Sequence, residues 1–405
     1  MDFKKLRQDF PTLRHDDAPA YLDNACVTLK PDSVVEAIHD YYTKTPGCGG
    51  RSVHRYGSKI SQSTTQTRTK LHKFLNADSA REIVFTRNAT HSLNQVAHGM
   101  TWSKGDVVLT TDREHNSNLV PWLQLEQEQG IDHRVVQSNA DNTFDIEAFE
   151  EACADAGPQL KMVSMSQVGN LDGIKIPIKK IAKIAHDHGA LVCVDGAQST
   201  PHMSVDVQDL DIDFLAFSIH KMCGPSGMGG LWGRYELLDD LRTIQSGGQT
   251  VKSSTYDSIE WANPPARFEG GLGNFSGMIA TGAAIDYLSK IDMDAVHQHE
   301  IRLNTIMTNG IKDLPGIEII GPLDASKRGG ICSILMDELP AHDIALLLDE
   351  AAGVMVRSGQ HCVHSWFNSR GHNNGSLRAS AYLYNTEEEA RLFAEIFTEA
   401  VHAFS

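Results

Sequence analysis

The chain has no apolar run of about 18 residues, so no membrane-spanning helix is expected. Its N-terminus, MDFKKLRQDF, lacks the apolar stretch of a secretory signal. The expectation is a cytoplasmic protein. Basic residues are in deficit: 36 Lys and Arg against 52 Asp and Glu leave a net charge of −16. Such a surface repels phosphate backbones, which argues against nucleic acid as a partner. Internal repeats and low-complexity tracts are missing. The cysteines number seven, an odd count, and no CxxC pair occurs among them. Neither a disulfide framework nor a spaced metal site is therefore indicated.

What is present is globular composition, 41% hydrophobic and 22% charged, in a chain of 405 residues. That length exceeds one compact core. Short apolar runs alternate with amphipathic stretches. Strands are predicted at 83–86, 107–111, 161–166, 190–195 and 214–218, and helices at 91–100 and 178–188. This alternation predicts an α/β fold with a mostly parallel central sheet and a site at its carboxyl ends. Residues 246–277 read as Gly-rich and irregular. A long helix is predicted over about 279–314, strand pieces at 317–320 and 330–336, and a closing helix at 386–404. The layout suggests a large domain over 21–282 and a smaller α+β domain over 283–405, with residues 1–20 packing on the latter.

Four segments carry candidate chemistry. In FSIHKMCGPSGMGGLWG, residues 217–233, Lys221 ends a strand before a glycine loop. A lysine there can reach a buried pocket, where lost hydration would free its amine as a nucleophile. The glycines follow the lysine, so the phosphate-loop pattern fails. In VDGAQS, Asp195 ends the preceding strand. Taken alone it is a helix cap; beside Lys221 it could hold a pyridinium nitrogen protonated. In TRNATHSLN, a strand enters a helix whose first turn carries Thr90 and free N–H groups, a ready phosphate site. In REHNSNLVPW, His115 could stack on a cofactor ring. Each piece is weak alone. Together they place an acid, an amine, a phosphate site and a stacking ring at the ends of successive strands.

These segments, with RSGQHC and LRASAYLYNT, resemble the class V, fold-type I enzymes that use pyridoxal phosphate (PLP), and within them the group II, NifS-like cysteine desulfurases. The resemblance runs from YLDNA at 21 to YNTEEEA at 384–390. It implies that Lys221 carries the cofactor as a Schiff base, Asp195 pairs with its ring nitrogen, Gln198 bonds its ring hydroxyl and His115 stacks on it. Thr90, Ser218 and His220 would bind its phosphate, with Ala89 at a position where relatives often have Thr. Asn170 and Arg378, with Arg357, would hold the substrate carboxylate. Cys362 would be the nucleophile that takes sulfur from L-cysteine as a persulfide for an acceptor protein, with Arg357 and His361 favouring its thiolate. Iron–sulfur assembly is one destination the resemblance implies. It also implies a homodimer.

Departures from the family pattern are Gln360 for a histidine, Leu272 for a phosphate-contacting threonine, and extra cysteines at 26, 48 and 223. The resemblance places Cys26, Cys48, Cys223 and Cys362 near one pocket. They could relay sulfur, ligate zinc or an iron–sulfur cluster, or only pack. Cys153, Cys193 and Cys332 read as core. Selenocysteine lyase, another class V reaction such as epimerisation or transamination, and a non-catalytic scaffold for a sulfur-transfer partner remain open on the sequence.

Overall fold

A computed structural model describes residues 1–336 and 339–404. The predicted range 283–405 thus ends one residue outside the described chain, as does its stretch at 337–338. A seven-stranded sheet forms the centre: β1 Ile83–Thr86, β2 Val107–Thr111, β3 Asp132–Val136, β4 Leu160–Ser166, β5 Leu191–Asp195, β6 Phe214–Ser218 and β7 Gly229–Gly233. Its order is β1-β7-β6-β5-β4-β2-β3. Strands β2 to β6 pair in parallel, and β7 alone opposes both its neighbours. Every residue of β2 and β6 is buried. Strands covered on both faces read as unbroken apolar runs, which is why these two are visible in the sequence. The helix Ile178–Asp187 covers one face, burying Ile178, Ile181, Ala182 and Ala185.

The structure corrects several sequence expectations. The helix predicted from residue 91 begins earlier, as Ala89–Gly99, because Asn88 caps it by accepting a bond from His91 N at 3.0 Å. Strand β3, DHRVV, is a half-exposed edge and too polar to stand out. Strand β7, GGLWG, hides in what reads as a loop. Its glycines permit close approach: a Cβ on Gly230 would lie 2.1 Å from the Phe217 ring, and one on Gly229 would lie 2.5 Å from Asn88 Cα. The long helix predicted over 279–314 is two helices, Phe275–Leu288 and Met293–Ile311. Asp292 breaks it by accepting from the backbone N–H groups of Asp294 and Ala295 as a new cap. The region 246–277 also contains an exposed hairpin, Val251–Ser254 with Ile259–Trp261.

A second, antiparallel sheet comprises β8 Ile317–Ile319, β9 Ile331–Met336, β10 Arg357–Gly359 and β11 Ser376–Ser380, ordered β8-β9-β11-β10. Leu303, Ile334, Leu348, Leu377 and Phe393 build its own core. The first core spans the central sheet and reaches Val296 and Tyr384. The N-terminal segment touches both: Phe3 stacks on His299 at 4.0 Å and Arg7 pairs with Glu389 at 2.8 Å, while Phe10 and Leu13 enter the first core. Among the described residues, no helix is long and apolar enough to cross a membrane.

Gly229→Ala forces a methyl against the backbone of Asn88, which cannot swing aside as a flexible side chain could. It should destabilise the fold by about 1–3 kcal/mol, read as a lower midpoint in chemical denaturation. An unchanged midpoint would refute the close-packing account of β7.

Candidate active site

The carboxyl ends of β1, β2, β4, β5 and β6 open onto a cleft of about 210 Å³. The twelve residues predicted to bind cofactor or substrate or to act on them line it: Ala89, Thr90, His115, Asn170, Asp195, Gln198, Ser218, His220, Lys221, Arg357, Cys362 and Arg378.

After β1, Asn88 caps the helix that begins at Ala89. Ala89 N donates to Ser218 Oγ at 3.0 Å, and Thr90 Oγ1 lies 2.6 Å from Ser117 Oγ. Hydroxyls from three elements thus gather at one helix start, where the backbone dipole favours an anion. Asn88 and Ser117 escape the sequence reading, although the Asn-x-x spacing before a helix is a capping signal.

After β2 come Glu114 and His115. His115 Nδ1 accepts from Ser117 N at 3.0 Å, leaving Nε2 to carry the proton. Burial, helped by the positive charges of Lys221 and Arg378, pushes its pKa down to about 3. The ring is therefore neutral, as a stacking group should be. Its neighbour Glu114 accepts from Asn118 Nδ2 at 2.8 Å and from Ser166 N at 3.1 Å, and burial raises its pKa to about 7. A buried pair, Arg113 with Asp172 at 2.7 Å, ties this loop to the one after β4 that carries Asn170. Breaking such a pair typically costs about 3–5 kcal/mol, so the two walls of the cleft are fixed together.

After β5, Asp195 accepts from Ala197 N at 2.9 Å. Burial raises its pKa, while that bond and the Lys221 charge pull it back. Gln198 Nε2 donates to Ala25 O at 2.8 Å, and its Oε1 is buried without a protein partner. After β6, a short turn over Ile219–Lys221 presents His220 and Lys221. Burial lowers His220 to about 4. Lys221 opens onto the cleft, yet the surrounding protein strips its hydration and brings its pKa to about 8; Asp195 pulls it upward and Arg378 downward.

The second sheet supplies the remaining wall. Arg378, on β11, donates to Asn170 O at 2.9 Å and to Asp23 at 3.4 Å, and its buried Nε has no protein partner. Cys362 and His361 both hold left-handed backbone, with φ of 60° and 49°. Their loop is held from both sides: Asn116 N donates to Cys362 O at 2.7 Å, and Asn170 Nδ2 to His361 O at 2.8 Å.

Two expectations about the thiols need correction. Arg357 Nη1 bonds Cys26 Sγ at 2.8 Å, not Cys362, and His361 is held neutral by burial while its Nε2 meets Ser376 Oγ at 2.9 Å. The four thiols also do not share one pocket. Cys26 and Cys362 line the cleft. Cys223 is fully buried in the first core, its pKa raised by burial to about 12, and Cys48 packs at the margin of that core. Among the described residues, no group of three or more His, Cys, Asp or Glu is placed to hold a metal ion. Leu272 is 77% exposed, away from this cleft.

The residues fit PLP. A buried carboxylate, Asp195, sits in the cleft with the amine of Lys221. Gln198 Oε1 and Arg378 Nε are buried polar atoms that no protein group satisfies. Unsatisfied buried atoms of this kind call for a ligand with matching groups.

Comparison with known proteins agrees with this geometry. A family described as aminotransferase class-V matches residues 20–393. A protein of Streptomyces coelicolor named probable cysteine desulfurase is 37% identical over 400 residues, covering 96% of this chain and 94% of its own. The structure of a cysteine desulfurase from Thermococcus onnurineus superposes with a TM-score of 0.93 at 34% identity, covering 98% of each chain. That of the cysteine desulfurase CsdA from Escherichia coli does so with a TM-score of 0.91 at 30% identity, covering 100% and 99%. The fold is fold-type I, and the chain belongs to the aminotransferase class-V family.

Proposed function

We propose that this protein is a PLP-dependent cysteine desulfurase that converts L-cysteine to L-alanine. The observation that carries the reading is the single cleft holding Lys221, Asp195, Arg378 and Cys362. Lys221 would hold the cofactor, with Asp195 at its ring nitrogen, Gln198 at its hydroxyl, His115 over its face, and Thr90, Ala89, Ser218 and His220 about its phosphate. When bound, PLP supplies an electron sink that stabilises a carbanion at the substrate's Cα.

The chain's residues divide the remaining work. Arg378, aided by Asn170 and Arg357, binds the substrate carboxylate; the unpartnered Nε of Arg378 supports this. Lys221, with a pKa near 8, shuttles protons at the substrate carbons through its Nζ. Cys362 Sγ attacks the substrate sulfur. The C–S bond breaks, its electron pair stays on carbon, and a proton follows to give alanine. Cys362 keeps the sulfur as a persulfide, which passes to an acceptor protein in the cytoplasm, iron–sulfur assembly being one use. The same residues suit selenocysteine, and substrate profiling would separate the two.

A homodimer is part of the proposal. Tyr42, Val53, Tyr256, Ile259 and Leu272 are large apolar side chains left exposed on this chain, which supports a second copy covering some of them. We also propose a division near residue 282. The separate core of the second sheet supports two units, and the first core's reach to Val296 shows that the start of the following helix packs on the large one.

Three measurements test these readings. Cys362→Ala should lose alanine formation from cysteine by orders of magnitude while retaining the bound-PLP absorbance. Retained turnover would remove Cys362 as nucleophile. Only neutral Lys221 can condense with an aldehyde, so the rate of PLP uptake by the apoprotein should climb with pH up to about 8 and level off above it. A flat profile from pH 6 to 10 would contradict the dry setting of Lys221. Light scattering of the purified holoenzyme should give twice the chain mass; the mass of one chain would sink the dimer.

A further inference from the structure

The cleft contains a second thiol that the proposed reaction does not use. Cys26 lies in the segment linking Leu22 to Thr28, and it faces the same cleft as Lys221 and Cys362. Its surroundings set it apart from the other cysteines. Cys153, Cys193, Cys223 and Cys332 are buried in apolar cores, and burial raises the pKa of each. Those thiols are packing groups. Cys26 is instead half-buried among charged side chains and receives a side-chain hydrogen bond from Arg357 Nη1 at 2.8 Å. The guanidinium N–H fixes the Cys26 sulfur at the wall of the cleft that also holds Cys362. Arg357 itself is kept in place by Asp23 at 3.9 Å, which also pairs with Arg378.

We propose that Cys26 is a second sulfur carrier, taking the sulfur from the Cys362 persulfide inside the cleft. The step rests on the desulfurase reading above. The Cys26 thiolate attacks the outer sulfur of the persulfide. A new S–S bond forms at Cys26, the S–S bond at Cys362 breaks, and Cys362 leaves as a thiolate. One thiolate is consumed and one is formed, so no oxidant or reductant is needed. Arg357 holds the Cys26 sulfur in place before the transfer. The consequence is that Cys362 is ready for a second substrate before any acceptor arrives.

The test is a single loading of the holoenzyme with excess L-cysteine, without acceptor or reductant, followed by rapid quenching. Released alanine is counted, and the alkylated peptides are mapped by mass. The native protein should give a burst of about two alanines per chain, against about one for Cys26→Ala and Cys26→Ser. An added sulfur should appear on both the Cys26 and Cys362 peptides of the native protein. The Cys362→Ala variant should carry none on Cys26. The peptide map of the native protein does not depend on how any variant folds. A burst of about one with sulfur on Cys362 alone would overturn the relay and leave the desulfurase reading standing. So would a Cys26–Cys362 disulfide with released hydrosulfide, or sulfur on Cys26 in Cys362→Ala, which would make Cys26 a direct nucleophile. Absence of alanine from the native holoenzyme would overturn the desulfurase reading and the relay with it.

Discussion

The Lys221 amine stands where β6 ends, against walls contributed by four other strand ends and the second sheet. Losing its water there costs the ammonium form, and the neighbouring groups answer to that cost. Asp195 returns some stability to the charge, and Arg378 takes some away. The same scarcity of water keeps His115 and His220 neutral. The cleft is lined by three basic side chains, Lys221, Arg357 and Arg378, and by the carboxylate of Asp195. Basic groups in a narrow cleft attract anions, which suits both a phosphate and an amino-acid carboxylate. The net charge of the whole chain, −16, has the opposite sign. The cleft is therefore a local exception within an acidic molecule.

The cleft exists only because the two sheets meet, and the chain between Ala20 and Thr28 joins them. Ala20 and Tyr21 pair in parallel with Val354 and Met355 beside the second sheet. Asn24 Nδ2 then donates to Ser380 O at 2.7 Å and to Asn385 Oδ1 at 3.0 Å. Ala25 O receives Gln198, and Thr28 Oγ1 reaches both His220 O and Cys223 N. One short segment thus contacts the ends of β5 and β6 and the strand β11. Asp23 in the same segment sits between Arg378 and Arg357, its pKa raised by burial and lowered by both guanidiniums. Cys26 is part of this junction, so its position is set by many bonds and not by its own side chain.

The buried parallel strands were legible because burial on both faces leaves an apolar run with no period to misread. Lys221, Asp195 and His115 were legible through their place at those strand ends. The failures have physical causes as well. β7 was lost because tight packing against Phe217 and Asn88 demands glycine, the residue that signals a loop. The break after Leu288 was lost because Asp292 is a polar residue on an otherwise periodic face, and only its cap bonds reveal it. The partner of Arg357 could not be read at all. Residues 26 and 357 are far apart in the chain, and nothing local in either segment records their contact. A sequence places Arg357 nearest Cys362, and the fold gives it to Cys26.

That exchange bears on how sulfur leaves the enzyme. A persulfide on a free loop could swing out to an acceptor. The loop of Cys362 is tied to Asn116 on one side and to Asn170 on the other, and two successive left-handed residues leave it little freedom. A nucleophile fixed in this way attacks substrate well, because its orientation is already set. The same fixity keeps the product sulfur inside the cleft. There the thiol of Cys26 is already present and held by Arg357, so transfer is an intramolecular step with no loss of translational freedom. Rigidity at Cys362 thus favours the first sulfur transfer at the expense of the last. A second thiol at the junction of the two sheets is a physical remedy for that conflict.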